Sequence, residues 1–189
     1  MNSRSQGSKP NPREVRIRPM VEGDITAADH IFRLAFGTLL GIPEPTAFGG
    51  DAALVSTRWR GDPAAAFVAE IDGELVASNF ATNWGSLGTF GPLTVRPDLW
   101  DGGIARRLLE PTMELFTAWG TKHAGLFTVP QSAKHIGLYQ KYGFYPRFLT
   151  AIMAVPVAPR EPAGGQWSKV LRRARRRARR LPRRLPQPD

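Results

Sequence analysis

Cysteine is missing from all 189 residues. Disulfide bridges and thiolate metal ligation are therefore excluded, and cysteine usage leaves the redox compartment open. Histidine is scarce as well. His30, His123 and His135 are scattered without metal-ligand spacing, so no metal site is expected. No apolar run reaches the roughly 18–20 residues of a membrane span. The opening MNSRSQGSKPNPRE lacks the apolar core of a secretory signal and reads as a disordered leader over residues 1–13. A soluble, cytoplasmic protein is the expectation. Three familiar signatures are also missing. Without G-x-x-x-x-G-K-[ST] a nucleoside-triphosphate loop is not expected, and without G-x-G-x-x-G neither is a dinucleotide fold. Without G-x-S-x-G a serine-hydrolase reading fails.

What is present begins with charge. The net +10 is unevenly spread: residues 1–159 carry 15 Lys/Arg against 14 Asp/Glu, a net +1, and residues 160–189 carry 11 against 2, a net +9. The high pI belongs to a tail, so the whole chain is not a basic nucleic-acid binder. In that tail Val170, Leu171, Ala174, Ala178 and Leu181 recur at helical spacing among nine arginines between 172 and 184. One reading is a basic amphipathic helix lying on anionic lipid or nucleic acid; the other is a solvated, self-repelling tail. The apolar face is thin, two of its five members being alanine, which favours disorder in isolation. Weak, salt-sensitive polyanion binding through residues 169–184 is expected either way. Sequence-specific recognition is not, because Trp167 is the tail's lone aromatic residue.

The body, at 42% hydrophobic composition for the whole chain, can bury a proper core. REVRIRP alternates as a strand. A helix follows, with Asp24 as the expected N-cap, Ile25, Ala28, Ile31, Phe32, Ala35 and Phe36 on one face, and Gly37 as its stop. A second short helix is expected over Ala52–Trp59. Asp72-Gly73 between two β-favouring runs signals a hairpin. FGPLTV is extended, IARRLLEPTMELFTAWG is a helix kinked at Pro111, HAGLFTV is a short buried strand, SAKHIGLYQKYG is a helix, and FYPRFLTAIMAV is a final strand. The order β-α-α-β-β-β-α-β-α-β is mixed α/β (α+β), mainly antiparallel in front with one crossover unit behind.

LTVRPDLWDGGIARRLL, residues 93–109, runs from a strand straight into a helix that starts on bare Gly102-Gly103. The first amides of a helix are unpaired and carry partial positive charge. Glycines there let an anion reach them without meeting a Cβ, so DGGIA is either a pyrophosphate cradle or merely a tight turn. Further on, HIGLYQKYGF places His135 and Tyr139 four apart and Tyr142 three beyond, on roughly one helix face. That stripe is either part of a site or a half-buried aromatic seam with wet polar tips.

Val95, Pro97, Trp100, Gly103 and Ala105, followed after another strand by Leu138-Tyr139-Gln140-Lys141-Tyr142-Gly143-Phe144, resemble the paired motifs V-x-P-x-x-[QR]-x-x-G-x-[GA] and L-Y-x-K-x-G-F of the GNAT superfamily of acyl-CoA-dependent N-acyltransferases. The resemblance covers roughly residues 14–155. It implies a central mixed, mostly antiparallel sheet flanked by helices, a domain over 14–157, and an Arg-rich tail over 158–189. One departure is Trp100, where the family has Gln or Arg; Arg106 or Arg107 one turn later is the alternative source of charge.

The resemblance further implies direct transfer of an acetyl group from acetyl-CoA to an amine, with no metal. Leu93 and Val95 would offer backbone groups to the donor's pantetheine arm, Asp101, Gly102, Gly103, Ile104, Ala105 and Arg106 would surround its diphosphate, and Trp100 would cover the donor's flank. Tyr139 would be general acid to the departing thiolate. Ser132 falls where the family often has a cofactor-touching Asn, and His135 where a small residue is usual, so His135 lines the pocket, relays a proton, or is structural. The base is not identified: Glu70, Asp72, Glu74, His30 and a water chain all stay open. The acceptor is a small-molecule or peptide amine, and the protein a monomer or homodimer. A non-catalytic acyl-CoA-binding sensor, its tail tethered to nucleic acid or anionic membrane, is the rival reading, favoured by Trp100 and by the lack of an acid on the FGPLTV strand.

Overall fold

A computed structural model describes residues 14–147 and 149–150. The elements fall within the unit that ends at Phe148. The expected leader, nearly all of the expected final strand beyond Arg147, and the Arg-rich tail lie outside the described residues. Phe144–Arg147, where that strand was to begin, are not in a strand.

The elements are β1 (Val15–Pro19), α1 (Ile25–Leu39), α2 (Leu54–Gly61), β2 (Ala66–Ile71), β3 (Glu74–Trp84), β4 (Leu87–Phe90), β5 (Thr94–Val95), α3 (Ile104–Ala118), β6 (His123–Gly125) and α4 (Ala133–Gln140). They form a six-stranded sheet in the order β1-β2-β3-β4-β6, with β5 also on β3. All pairs are antiparallel except β4 with β6. The β2–β3 turn is Asp72-Gly73, with φ of 53° and 81°. Positive φ at both central residues is the type I′ hairpin, whose twist matches that of its strands.

One face of the sheet is covered by α1 and α2, where Ala28, Phe32 and Val55 pack on Val68 and Phe80. On the other face α3 inserts Ile104 and Leu108 against Ala69, Val76 and Val95. Leu109 and Phe116 of α3 join Phe90 and Tyr139 in a further cluster. Between sheet and α3 lies one buried polar contact, Asn79 Nδ2 donating to Thr112 Oγ1 at 2.9 Å. Thr112 in turn donates to the Leu108 carbonyl at 3.1 Å. Helix α3 runs unbroken through Pro111.

Four local expectations need correction. Gly37 does not stop α1, which continues to Leu39. It is glycine because a Cβ there would lie 2.1 Å from the Pro45 carbonyl oxygen. Asp24 makes no side-chain cap to α1; its carboxylate is held by Arg18 at 2.7 Å and accepts the Val21 N–H at 2.8 Å. The second helix begins two residues late, at Leu54, and runs to Gly61. The strand expected over residues 123–129 stops at Gly125, and Phe127 beyond it is exposed.

Candidate functional site

The FGPLTV stretch is one strand broken in the middle. β4 pairs Ala81–Trp84, β5 pairs Ala77–Ser78, and Gly91–Leu93 bridge the two along the same edge of β3. On its outer side β4 meets β6 in parallel only as far as Thr89 opposite Gly125. Past that point no ladder joins residues 90–95 to 126–129 among the described residues, so the sheet opens there. The Arg96 N–H donates to the Val76 carbonyl at 2.9 Å. Arg96 and Val76 are therefore a hydrogen-bonded pair, and Val95 and Ala77 the intervening pair without bonds. The N–H and C=O of Val95 consequently point away from β3, into the opening. Leu93, just before this ladder, has no backbone bond of its own among the described residues.

From the open strand the chain passes through a turn to α3. Gly103 is the N-cap, at φ 77°, a left-handed conformation that an L side chain rarely adopts. That requirement, rather than lack of space, is why glycine stands there, since a Cβ would meet nothing within 4 Å. At Gly102 a Cβ would come 3.1 Å from the Leu99 carbonyl oxygen. The amides of Gly103, Ile104, Ala105 and Arg106 have no acceptor among the described residues; helical bonding starts with Arg107 N–H to Gly103 C=O at 3.3 Å. Unpaired amides aligned at the positive end of a 15-residue helix suit an anion.

Trp100 takes a role the sequence did not suggest. Its indole Nε1–H donates to the Val95 carbonyl at 2.8 Å while the ring stays 40% exposed. Asp101, also left-handed at φ 66°, pairs with Lys134 at 2.7 Å. Tyr142 O–H donates to the Arg106 carbonyl at 2.9 Å. The last two contacts tie the two sides of the Gly102-Gly103 turn to α4 and to the turn that follows it. No spacing rule links residues 33 positions apart, so the Lys134 contact was not legible in sequence.

Helix α4 is capped by Ser132, whose hydroxyl accepts the His135 N–H at 3.5 Å. His135 and Tyr139 stack at 6.3 Å, and the Tyr139 ring meets Phe90 edge-on at 5.7 Å. Tyr139 thus stands against the last residue of β4, where the sheet opens. Burial pushes its phenol from the usual 10 up to about 12, with the Thr128 side chain opposing part of the rise. Burial lowers His135, favouring its neutral imidazole.

The structure does not bring every candidate together. Glu70 is bound by Arg18 at 2.8 Å and Glu74 by Arg96 at 2.6 Å. Asp72 sits in the hairpin turn, and His30 is exposed on α1. An open groove of about 510 Å³ lined by Arg106, Glu110, Lys141 and Tyr142 includes neither the open strand nor Tyr139, so it does not locate the chemistry.

A mostly antiparallel sheet that parts beside a broken strand, followed by a helix with bare amides, matches the acyltransferase fold of the GNAT class. The profile of the acetyltransferase (GNAT) family matches residues 31–144, and the chain belongs to that family. No curated protein sequence matches the chain. Among solved structures, the chain resembles the ribosomal-protein-S18-alanine N-acetyltransferase of Escherichia coli at 22% identity, covering 69% of this chain and 77% of that one with a TM-score of 0.56. A GNAT acetyltransferase from Brucella melitensis, solved with acetyl-CoA, is similar at 17% identity over 71% and 84% of the two chains, TM-score 0.53. An aminoglycoside acetyltransferase from an uncultured soil metagenomic sample is similar at 19% identity over 77% and 99%, TM-score 0.56. Among the described residues no helix is long and apolar enough to cross a membrane.

Proposed function

We propose that this protein transfers an acetyl group from acetyl-CoA to a primary amine by direct attack. The carrying observation is the set of acceptor-free amides from Gly103 to Arg106, one turn beyond a strand whose Val95 N–H faces the sheet opening while its carbonyl is held by Trp100. The donor's diphosphate would rest on those amides, flanked by Asp101, Gly102 and the Arg106 side chain. Its pantetheine arm would run along Leu93 and Val95, near Ser132 and His135 of α4. Trp100 replaces the family's Gln or Arg by fastening the loop to Val95 instead of reaching for phosphate.

In the transfer the ammonium first gives up one proton, the neutral nitrogen attacks the thioester carbonyl carbon, the C–S bond breaks to release the thiolate, and the nitrogen's second proton passes to solvent. An unperturbed alkylamine has a pKa near 10, so a proton must leave before attack. Glu70 and Glu74 are engaged with arginines, Asp72 lies in the hairpin turn and His30 is exposed on α1, so the route assigned to it is a water chain. Tyr139 meets the leaving thiolate. Its raised pKa keeps the phenol protonated at pH 7, as an acid must be. Full transfer to a thiolate of ordinary pKa, roughly 8.5, is uphill by about 3–4 units, or about 4–5 kcal/mol. Dry surroundings also raise the thiolate's basicity, which narrows the gap. The phenol then regains its proton from solvent.

The sensor alternative shares the same donor site and differs only in lacking turnover. A thermal-shift screen with acetyl-CoA, CoA and longer acyl-CoAs tests donor binding, because ligands of the native state raise the melting temperature. Thiol release over a panel of amines then separates the two readings: a transferase releases CoA, and a sensor binds without release.

A further inference from the structure

We propose that Arg58 reads a carboxylate on the acceptor, making the substrates amines that also carry an acid group. The inference rests on the acyltransfer reading above and concerns the other face of the same opening.

Helix α2 is fixed on both sides of Arg58. Val55 is fully buried against the sheet, and Trp59 Nε1–H donates to the Met20 carbonyl at 3.2 Å. Arg58 reaches across the sheet face and its Nη1 donates to Thr82 Oγ1 at 3.0 Å. Thr82 lies opposite Thr89 in the β3–β4 ladder, one residue before Phe90. The guanidinium therefore stands on the α2 face at the strand level where, on the α4 face, Tyr139 meets Phe90. That is the level at which the acyl group would emerge through the gap in the sheet.

Among the described residues Arg58 differs from its peers in having no counter-charge. Arg18, Arg33 and Arg96, the other part-buried arginines among the described residues, each pair with at least one carboxylate. Arg58 pairs with none among the described residues, only with the neutral Thr82 hydroxyl, and its Nε is sealed without a partner. A half-buried, uncompensated guanidinium is costly unless something anionic completes it. Nη2 is neither bonded within the described residues nor sealed, so the Nη1–Nη2 edge can meet a planar carboxylate. Helix α2 itself adds Arg60 and no acid. The same charge repels an acceptor whose other groups are cationic, such as a polyamine.

The test uses the full chain with CoA or acetyl-CoA and matched amines: amino carboxylates of two to six carbons, their amides, an aminoalkyl phosphate and a polyamine. Binding to the CoA-loaded protein is followed calorimetrically and acetylation by thiol release. The wild-type protein is expected to favour an amino carboxylate over its amide by about 10- to 100-fold, the range for a hydrogen bond to a charged group. Arg58→Met should erase that preference while leaving CoA affinity unchanged, and Arg58→Lys should restore part of it. An equal response to acid and amide, or preference for the polyamine or phosphate, overturns the assignment. So does a preference that survives Arg58→Met. If CoA fails to bind while the amino carboxylates bind through Arg58, the acyltransfer reading falls and the carboxylate site stands.

Discussion

Trp100 and Val95 are joined by a hydrogen bond of 2.8 Å from the indole Nε1–H to the main-chain carbonyl, across the turn that leads into α3. The bond fastens the start of the glycine turn to the strand that would carry the donor. Trp100→Phe keeps a ring but loses the donor, and a hydrogen bond is worth about 0.5–1.5 kcal/mol. If the fastening preorganises the cradle, CoA affinity measured calorimetrically should weaken by about 2- to 10-fold. Unchanged affinity would mean that the turn holds its shape without this bond.

For Tyr139 the expected signature is kinetic. Tyr139→Phe should lower kcat by about 10²-fold or more, the usual worth of a positioned acid, with CoA affinity little changed. Equal kinetics for the two proteins would remove the phenol from the chemistry.

The same residue makes an alkaline prediction. Its folded-state pKa of about 12 lies above the usual 10. The stability this contributes is fully present below about pH 10 and is lost as pH rises from there towards 12. Denaturant unfolding of wild type and Tyr139→Phe at a series of pH values should therefore show the wild type losing more stability over that interval. Parallel curves would contradict the burial shift.

Thr112→Val conserves shape but leaves the Asn79 amide without its partner inside the sheet–α3 interface. An unsatisfied buried donor costs about 1–3 kcal/mol, which urea unfolding would show as a lower midpoint at constant slope.

Much of the frame was legible in the chain because local chemistry decided it. Asp72-Gly73 predicts a two-residue hairpin, and the left-handed φ of both residues explains why that pair is used. The Gly102-Gly103 start of α3 and the Leu138–Phe144 run likewise mark the elements that the structure joins through Tyr142 and Arg106. What escaped was decided by contacts between distant segments. Gly37 reads as a helix stop, yet Pro45, packed against it, is what demands glycine. The strand expected to continue through residues 126–129 ends where its neighbour breaks, which alternation within one segment cannot reveal. Arg58 carries no motif, and its isolation is visible only against the paired Arg18, Arg33 and Arg96.

The most direct measurement follows the backbone amide signals of Gly103, Ile104, Ala105 and Arg106 by NMR as CoA is added, beside a parallel titration with pantetheine, which lacks the diphosphate. Large, saturable shifts of these four amides with CoA but not with pantetheine are the predicted result. CoA that binds while these amides stay unmoved, or that moves them no more than pantetheine does, would contradict the account.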